Sequence, residues 1–222
     1  GTLFDVAAAA RAVAAEPGRE TFAARWAEVA ETWRTKQLEY TWLRAAAGIH
    51  TDFWAVTGDG LDYALEAADL ADPGLRARLM ALYRELEAFP EAGETLDRLR
   101  AAGFATAILS NASPGMLRDA VASAGLGPRL DALLSAESAG VFKPDFRVYD
   151  LVGHAFGVAR REVLFVSSNG WDAWGAAAYG FRTVWVNRRG LPVDRLGHRP
   201  DHVLPDLSGL PAVAFAGIGR PA

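Results

Sequence analysis

The chain has 222 residues, 51% of them hydrophobic, so it can bury a sizeable core as one domain with a large insertion or as two small ones. A formal net charge of −4, a pI near 5.6 and the lack of any basic run exclude nucleic acid or an anionic membrane as the main partner. There is no cysteine and so no disulfide framework, which fits a reducing cytoplasm; no apolar run reaches the roughly 18 residues of a membrane span, and no basic-then-apolar signal segment opens the chain.

From Val6 to Phe89 the pattern is almost purely helical. Trp26, Val29, Trp33, Tyr40 and Leu43 recur in steps of three, four and seven, which predicts a helix. On it Arg34 and Leu38 share a face about 100° away from Trp33. A second helix is predicted over Asp59–Leu70 and a third over Leu75–Leu86, with Asp72-Pro73-Gly74 as the break between them. After Phe89-Pro90 the pattern changes to short apolar runs alternating with helices. Helices are predicted over Ala92–Ala102, Pro114–Ala124, Phe146–Phe156 and Asp172–Tyr179. Strands are predicted over Phe104–Leu109, Leu130–Ser135, Val163–Val166, Phe181–Val186 and His202–Leu204. This alternation implies a doubly wound parallel sheet with helices on both faces, and the helical stretch 6–89 then forms an inserted cap over the strand ends.

The densest chemistry lies in Phe165-Val166-Ser167-Ser168-Asn169-Gly170-Trp171-Asp172, a buried strand running through a loop into a helix start. Its polar groups fall at the carboxyl end of a strand, where open α/β sheets hold their sites. One carboxylate is too few for a hard metal such as Mg²⁺, so the segment suits positioning a substrate and one lysine. Ser110-Asn111 follows another strand and reads equally as a turn before the helix at Pro114. The four histidines, His50, His154, His198 and His202, are scattered and read as structural or surface. No glycine-rich phosphate loop or metal-ligand cluster is present, so no metal or organic cofactor is expected.

Together with Ser110-Asn111, Phe142-Lys143-Pro144 and the block from Trp33 to Arg44, this segment resembles the L-2-haloacid dehalogenases, the metal-independent branch of the haloacid dehalogenase superfamily. The resemblance runs from Gly1 to about Leu207 in the family's order and implies a Rossmann-like core of residues 1–5 and 90–222 with the cap between. Gly1-Thr2-Leu3 matches the second half of the superfamily's first motif. The nucleophilic aspartate is thereby placed three residues before Gly1, outside this sequence, together with the central strand. A sheet without that strand has two open edges and a split core.

The family's roles carry over residue by residue. Lys143 keeps the nucleophile ionised, and Asp172 fixes Lys143 and orients the hydrolytic water, although Asp172 could also cap the helix behind it. Ser167 and Asn169 would hydrogen-bond the nucleophile or its ester, and Thr2 would bond nearby. Ser110 would bind the substrate carboxylate, Arg34, Asn111 and Trp171 the departing halide, and Leu38 and Phe53 would wall the C2 substituent. Tyr149 reads either as a substrate contact or as a core aromatic. Asp5 falls past the motif and is expected to be structural. Family members often carry glutamine directly after the arginine; here Thr35 bears on pocket size.

The implied activity is hydrolysis of short (S)-2-haloalkanoic acids to (R)-2-hydroxy acids through an aspartyl ester. The expected partners are that substrate and halide, in a cytoplasmic homodimer. Two other readings stand beside it. One is a Mg²⁺-dependent phosphatase of the same superfamily, for which Ser167-Ser168-Asn169 stands where a first acid should be. The other is a non-catalytic member without the nucleophile.

Overall fold

A computed structural model describes residues 1–216. Five helices come first: α1 (Val6–Ala14), α2 (Glu20–Ala23), α3 (Trp26–Ala47), α4 (Phe53–Ala67) and α5 (Pro73–Leu82). Asp5 caps α1, its carboxylate accepting from the Ala7 amide, which is the structural role expected of it. Gly48, with φ +69°, closes α3 in a left-handed turn. The second predicted helix begins six residues earlier than expected, because Asp52 caps it by accepting from Ala55 N at 3.0 Å. Asp72-Pro73-Gly74 does not merely break the chain but starts α5. Asp72 is the cap and Pro73 stands in the first turn, where a missing N–H costs nothing.

Helices α3 and α4 approach closely at Gly60, where an added Cβ would lie 3.1 Å from the backbone N of Gln37. Val29, Trp33, Val56, Leu61, Leu65 and Leu79 fill the helical core, which continues into Met116, Ala120 and Phe142 of the layer below. Leu79 is fully buried. Leu79→Ala is expected to cost about 2–5 kcal/mol, through lost transfer energy and the cavity it leaves; denaturant unfolding measures it.

The α/β part follows as α6 (Ala92–Ala101), β1 (Ala107–Ser110), α7 (Pro114–Ser123), β2 (Ala132–Ser135), α8 (Phe146–Phe156), β3 (Leu164–Ser167), α9 (Gly170–Tyr179), β4 (Arg182–Val186), β5 (His202–Leu204) and α10 (Leu210–Ala216). β1 is shorter than predicted because Thr106 is held by Asp131 instead of by a strand: its amide donates to the carboxylate at 2.8 Å. All pairing is parallel, with Ala107 opposite Ala132 and Leu164 opposite Arg182. The described strands form two pieces, β1-β2 and β3-β4-β5. The free edges of β1 and β3 both line one cavity of about 570 Å³ walled by Leu96, Leu99, Ile108, Leu109, Val166 and Leu207. The apolar core is divided to match: Val184, Val186 and Leu210 cluster apart from Leu96, Val121 and Leu126.

The chain enters and leaves the helical cap side by side. Phe4 bridges Ala88 in antiparallel fashion, Asp5 N donates to Glu87 O at 3.0 Å, and Phe89 N donates to Leu3 O at 2.8 Å. This pairing holds α3 and α4 over the carboxyl ends of β1 and β3. Among the described residues no helix is long and apolar enough to cross a membrane.

Candidate active site

One end of the cavity is lined by Thr2, Ser110, Asn111, Lys143, Ser167, Asn169, Trp171 and Asp172 from the strand ends, and by Arg34, Leu38 and Phe53 from the cap. Eleven of the twelve residues expected at a site therefore face one space, and Tyr149 does not.

Lys143 is 5% exposed. Its ammonium donates to Leu109 O at 2.8 Å and to the Asp172 carboxylate at 3.1 Å, and it lies 4.7 Å from the Phe165 ring centre. An ammonium has three N–H groups, so one remains for the cavity. Asp172, 4% exposed, is the hub of the cluster. Besides Lys143 it accepts from the Ser167 hydroxyl at 2.9 Å and the Tyr149 phenol at 2.8 Å. It does not cap α9; it stands in the first turn, where the positive helix end favours a carboxylate.

Tyr149 is fully buried behind Asp172, so it is a positioning residue for that carboxylate and not a substrate contact. Burial first, and the adjacent Asp172 charge second, push its ionisation far above the ordinary phenol range, so it stays a donor at any working pH. Ser167 bonds within the same cluster. Its hydroxyl donates to Asp172 and its oxygen accepts from Asn169 N at 3.2 Å, so it orders the loop beside the Asp172 carboxylate.

Two amides have their orientation set by their partners. Asn111 Oδ1 accepts from the Lys143 backbone N at 2.9 Å, and Asn169 Oδ1 accepts from Arg34 Nη2 at 3.3 Å. The NH₂ of each is then the group left to donate. Ser110 combines its two readings: its oxygen accepts from Ala112 N at 3.1 Å, forming the turn, and its O–H remains to donate. Thr2 Oγ1 accepts from Ser168 N at 2.9 Å, tying the Gly1-Thr2 segment to the loop after β3.

Trp171 Nε1 is buried without a hydrogen-bond partner, and its ring meets Trp42 edge-on at 5.4 Å. Sequence reasoning missed Trp42, as it missed Glu137, which accepts from the Phe53 amide at 3.3 Å and ties the cap to the core. It also missed Gln37, which accepts from Arg34 Nη1 at 2.7 Å. Only Gln37 had a signal, an amide one turn from Arg34. Among the described residues no group of three or more His, Asp or Glu is placed to hold a metal, and the Asp172 carboxylate already has an internal cation in Lys143.

Gly175 backs this cluster. An added Cβ there would lie 2.7 Å from the Tyr149 oxygen and 2.8 Å from Pro144 Cβ. Gly175→Ala is expected to push both away and cost about 1–3 kcal/mol in denaturant unfolding, since a packed site resists extra volume.

Residues 1–180 match the family model for haloacid dehalogenase-like hydrolases. The chain is 44% identical over 193 residues to (S)-2-haloacid dehalogenase 4A of Burkholderia cepacia, covering 86% of this chain and 81% of that one. A solved dehalogenase structure superposes with a TM-score of 0.91 at 41% identity, covering 96% of this chain and 92% of that one. The L-2-haloacid dehalogenase of Xanthobacter autotrophicus, solved with chloropropionic acid covalently bound, gives 0.86 at 38% identity, with coverage of 97% and 95%.

Proposed function

This chain belongs to the haloacid dehalogenase-like hydrolases, and from that premise we propose that it hydrolyses short (S)-2-haloalkanoic acids to (R)-2-hydroxy acids. The observation that carries this reading is the pair of cations on opposite sides of one cavity. Lys143 lies at the strand ends with Asp172, Arg34 lies in the cap, and Asn111 and Trp171 line the cavity between them.

In the first step the nucleophilic aspartate of the family's first motif would attack C2 opposite the halogen. A C–O bond forms, the C–halogen bond breaks, and the halide leaves with the bonding pair toward Arg34. Attack by an anion on an anionic substrate needs charge offset. The free N–H of Lys143 serves the nucleophile, and the Ser110 hydroxyl serves the substrate carboxylate. Holding the two reactants in line can contribute on the order of 7–11 kcal/mol. Leu38 and the buried Phe53 exclude water from the C2 substituent.

In the second step water adds to the ester carbonyl. The hydroxy acid departs with the former carboxylate oxygen, so C2 is inverted once. Asp172, held by Lys143, Tyr149 and Ser167, lies where it can orient that water, and the Asn169 NH₂ can bond the oxyanion. The phosphatase reading is the weaker one. The loop that would supply the first acid carries Ser167-Ser168-Asn169, and Asp172 is already paired with Lys143.

We place the protein in the cytoplasm, in keeping with its lack of cysteine, and as a homodimer, for which the exposed Trp42, Leu43 and Ile49 at the end of α3 offer apolar surface. The decisive test is halide release from each enantiomer of 2-chloropropionate by the full-length protein with a chelator present. Release from the (S) form alone is expected. No release from either, or turnover of a phosphate monoester that requires Mg²⁺, would overturn the assignment.

A further inference from the structure

Arg34 is held by an unusual partner. Its Nη1 donates at 2.7 Å to the side-chain oxygen of Gln37, a neutral amide only 1% exposed, and Arg34 makes no ion pair among the described residues. The amide belongs to a buried relay. Gln37 Nε2 donates to Thr57 Oγ1 at 2.8 Å, and the Thr57 hydroxyl donates to Phe53 O at 2.6 Å. Tyr83 lies within 3.1–3.2 Å of both polar atoms of the amide.

The direction of every bond follows from the last one. The Thr57 proton is committed to a backbone carbonyl, so Thr57 can only accept from Gln37. Gln37 must therefore present its NH₂ to Thr57 and its carbonyl to Arg34. Thr57 is itself fully buried, and Trp33 Nε1 donates to its backbone oxygen at 2.8 Å, so the relay is rigidly framed. The other guanidinium arm reaches Asn169 Oδ1 across the cavity at 3.3 Å. Gln37 thus fixes where the guanidinium points while leaving its full positive charge uncompensated. A carboxylate in that place would hold the same geometry and cancel the charge.

We propose that Gln37 is a positioning residue that sets both the aim and the net charge of Arg34, and so controls halide affinity and discrimination between leaving groups. This rests on the halide role given to Arg34 above. The chemistry makes the two functions separable. Gln37→Glu keeps an acceptor for Arg34 but neutralises it, Gln37→Met removes the tether but keeps the charge, and Thr57→Val loosens the relay from its far end.

The test uses the full-length protein and these three variants, each checked by thermal melting. Chloride binding is followed without turnover, by quadrupolar broadening of the chloride resonance, alongside kcat for 2-chloropropionate and 2-bromopropionate. Gln37→Glu is expected to weaken chloride binding at least 10-fold and to slow the chloro substrate more than the bromo one. Gln37→Met and Thr57→Val should give smaller losses in the same order. In an Arg34→Met background none of the three should have a further effect, which a merely structural role would not produce. Chloride binding and a chloro-to-bromo rate ratio unchanged in folded Gln37→Glu, or in folded Gln37→Met where the glutamate variant fails to fold, would overturn the proposal. So would effects that add to those of Arg34→Met. Wild-type chloride binding that responds to Gln37 without any dehalogenation would instead overturn the functional assignment alone.

Discussion

Lys143→Met is expected to lower halide release by about 10²–10³-fold and to destabilise the fold by about 3–5 kcal/mol. The two effects have one origin. The Lys143 and Asp172 side chains are each 6% exposed and stand 3.1 Å apart. Deleting the ammonium strands a carboxylate with only the Ser167 and Tyr149 hydroxyls as donors, in surroundings too dry to solvate it. The same deletion removes the cation that holds a second carboxylate, the nucleophile, ionised. A double variant separates the two: Lys143→Met with Asp172→Asn should regain most of the lost stability, because no charge is left buried, and should regain none of the activity. Denaturant unfolding and single-turnover halide release read the two quantities. A Lys143→Met enzyme within 10-fold of wild type would show that the ammonium does not serve the reaction.

Arg34→Met carries the second large expectation. The C–halogen bond breaks in the first step, so charge develops on the halide in the transition state and interactions made there act on kcat more than on KM. Loss of the guanidinium is expected to cost about 10²–10³-fold in kcat with 2-chloropropionate and less with 2-bromopropionate, whose leaving group needs less help. Stability should hardly change, since Arg34 is only half-buried and its cross-cavity bond is 3.3 Å long. Arg34→Lys should recover only part of the rate. A single ammonium cannot reach Gln37 and Asn169 together with a planar fork. Equal losses in kcat for both halogens would show that Arg34 holds the substrate and not the leaving group.

Much of the site was legible because its polar residues interrupt apolar runs. Ser110-Asn111 and Ser167–Asp172 stand directly after strands, and a parallel sheet sends every strand end to the same side. The resemblance then supplied Lys143 and Arg34, which as a loop lysine and a helix arginine are otherwise indistinguishable from surface residues. Element boundaries were less legible. The start of α4 was missed because Asp52 caps it from a stretch whose apolar spacing is weak, and α5 because a proline was read as a stop when it stood in a first turn.

That Tyr149 and Ser167 hold Asp172 was not legible. Both act through another side chain, and the partner lies 23 residues away for Tyr149 and 5 for Ser167, on separate elements or across a loop. Sequence by itself determined the α/β class, the helical insertion and which residues gather at the strand ends, because periodicity and strand polarity are local properties of the chain. Only the tertiary structure decided how those residues divide the work. Whether a hydroxyl meets a substrate or an Asp172 carboxylate, and whether an arginine is neutralised or kept charged by an amide, depends on which donor finds which acceptor when helices and sheet pack out water.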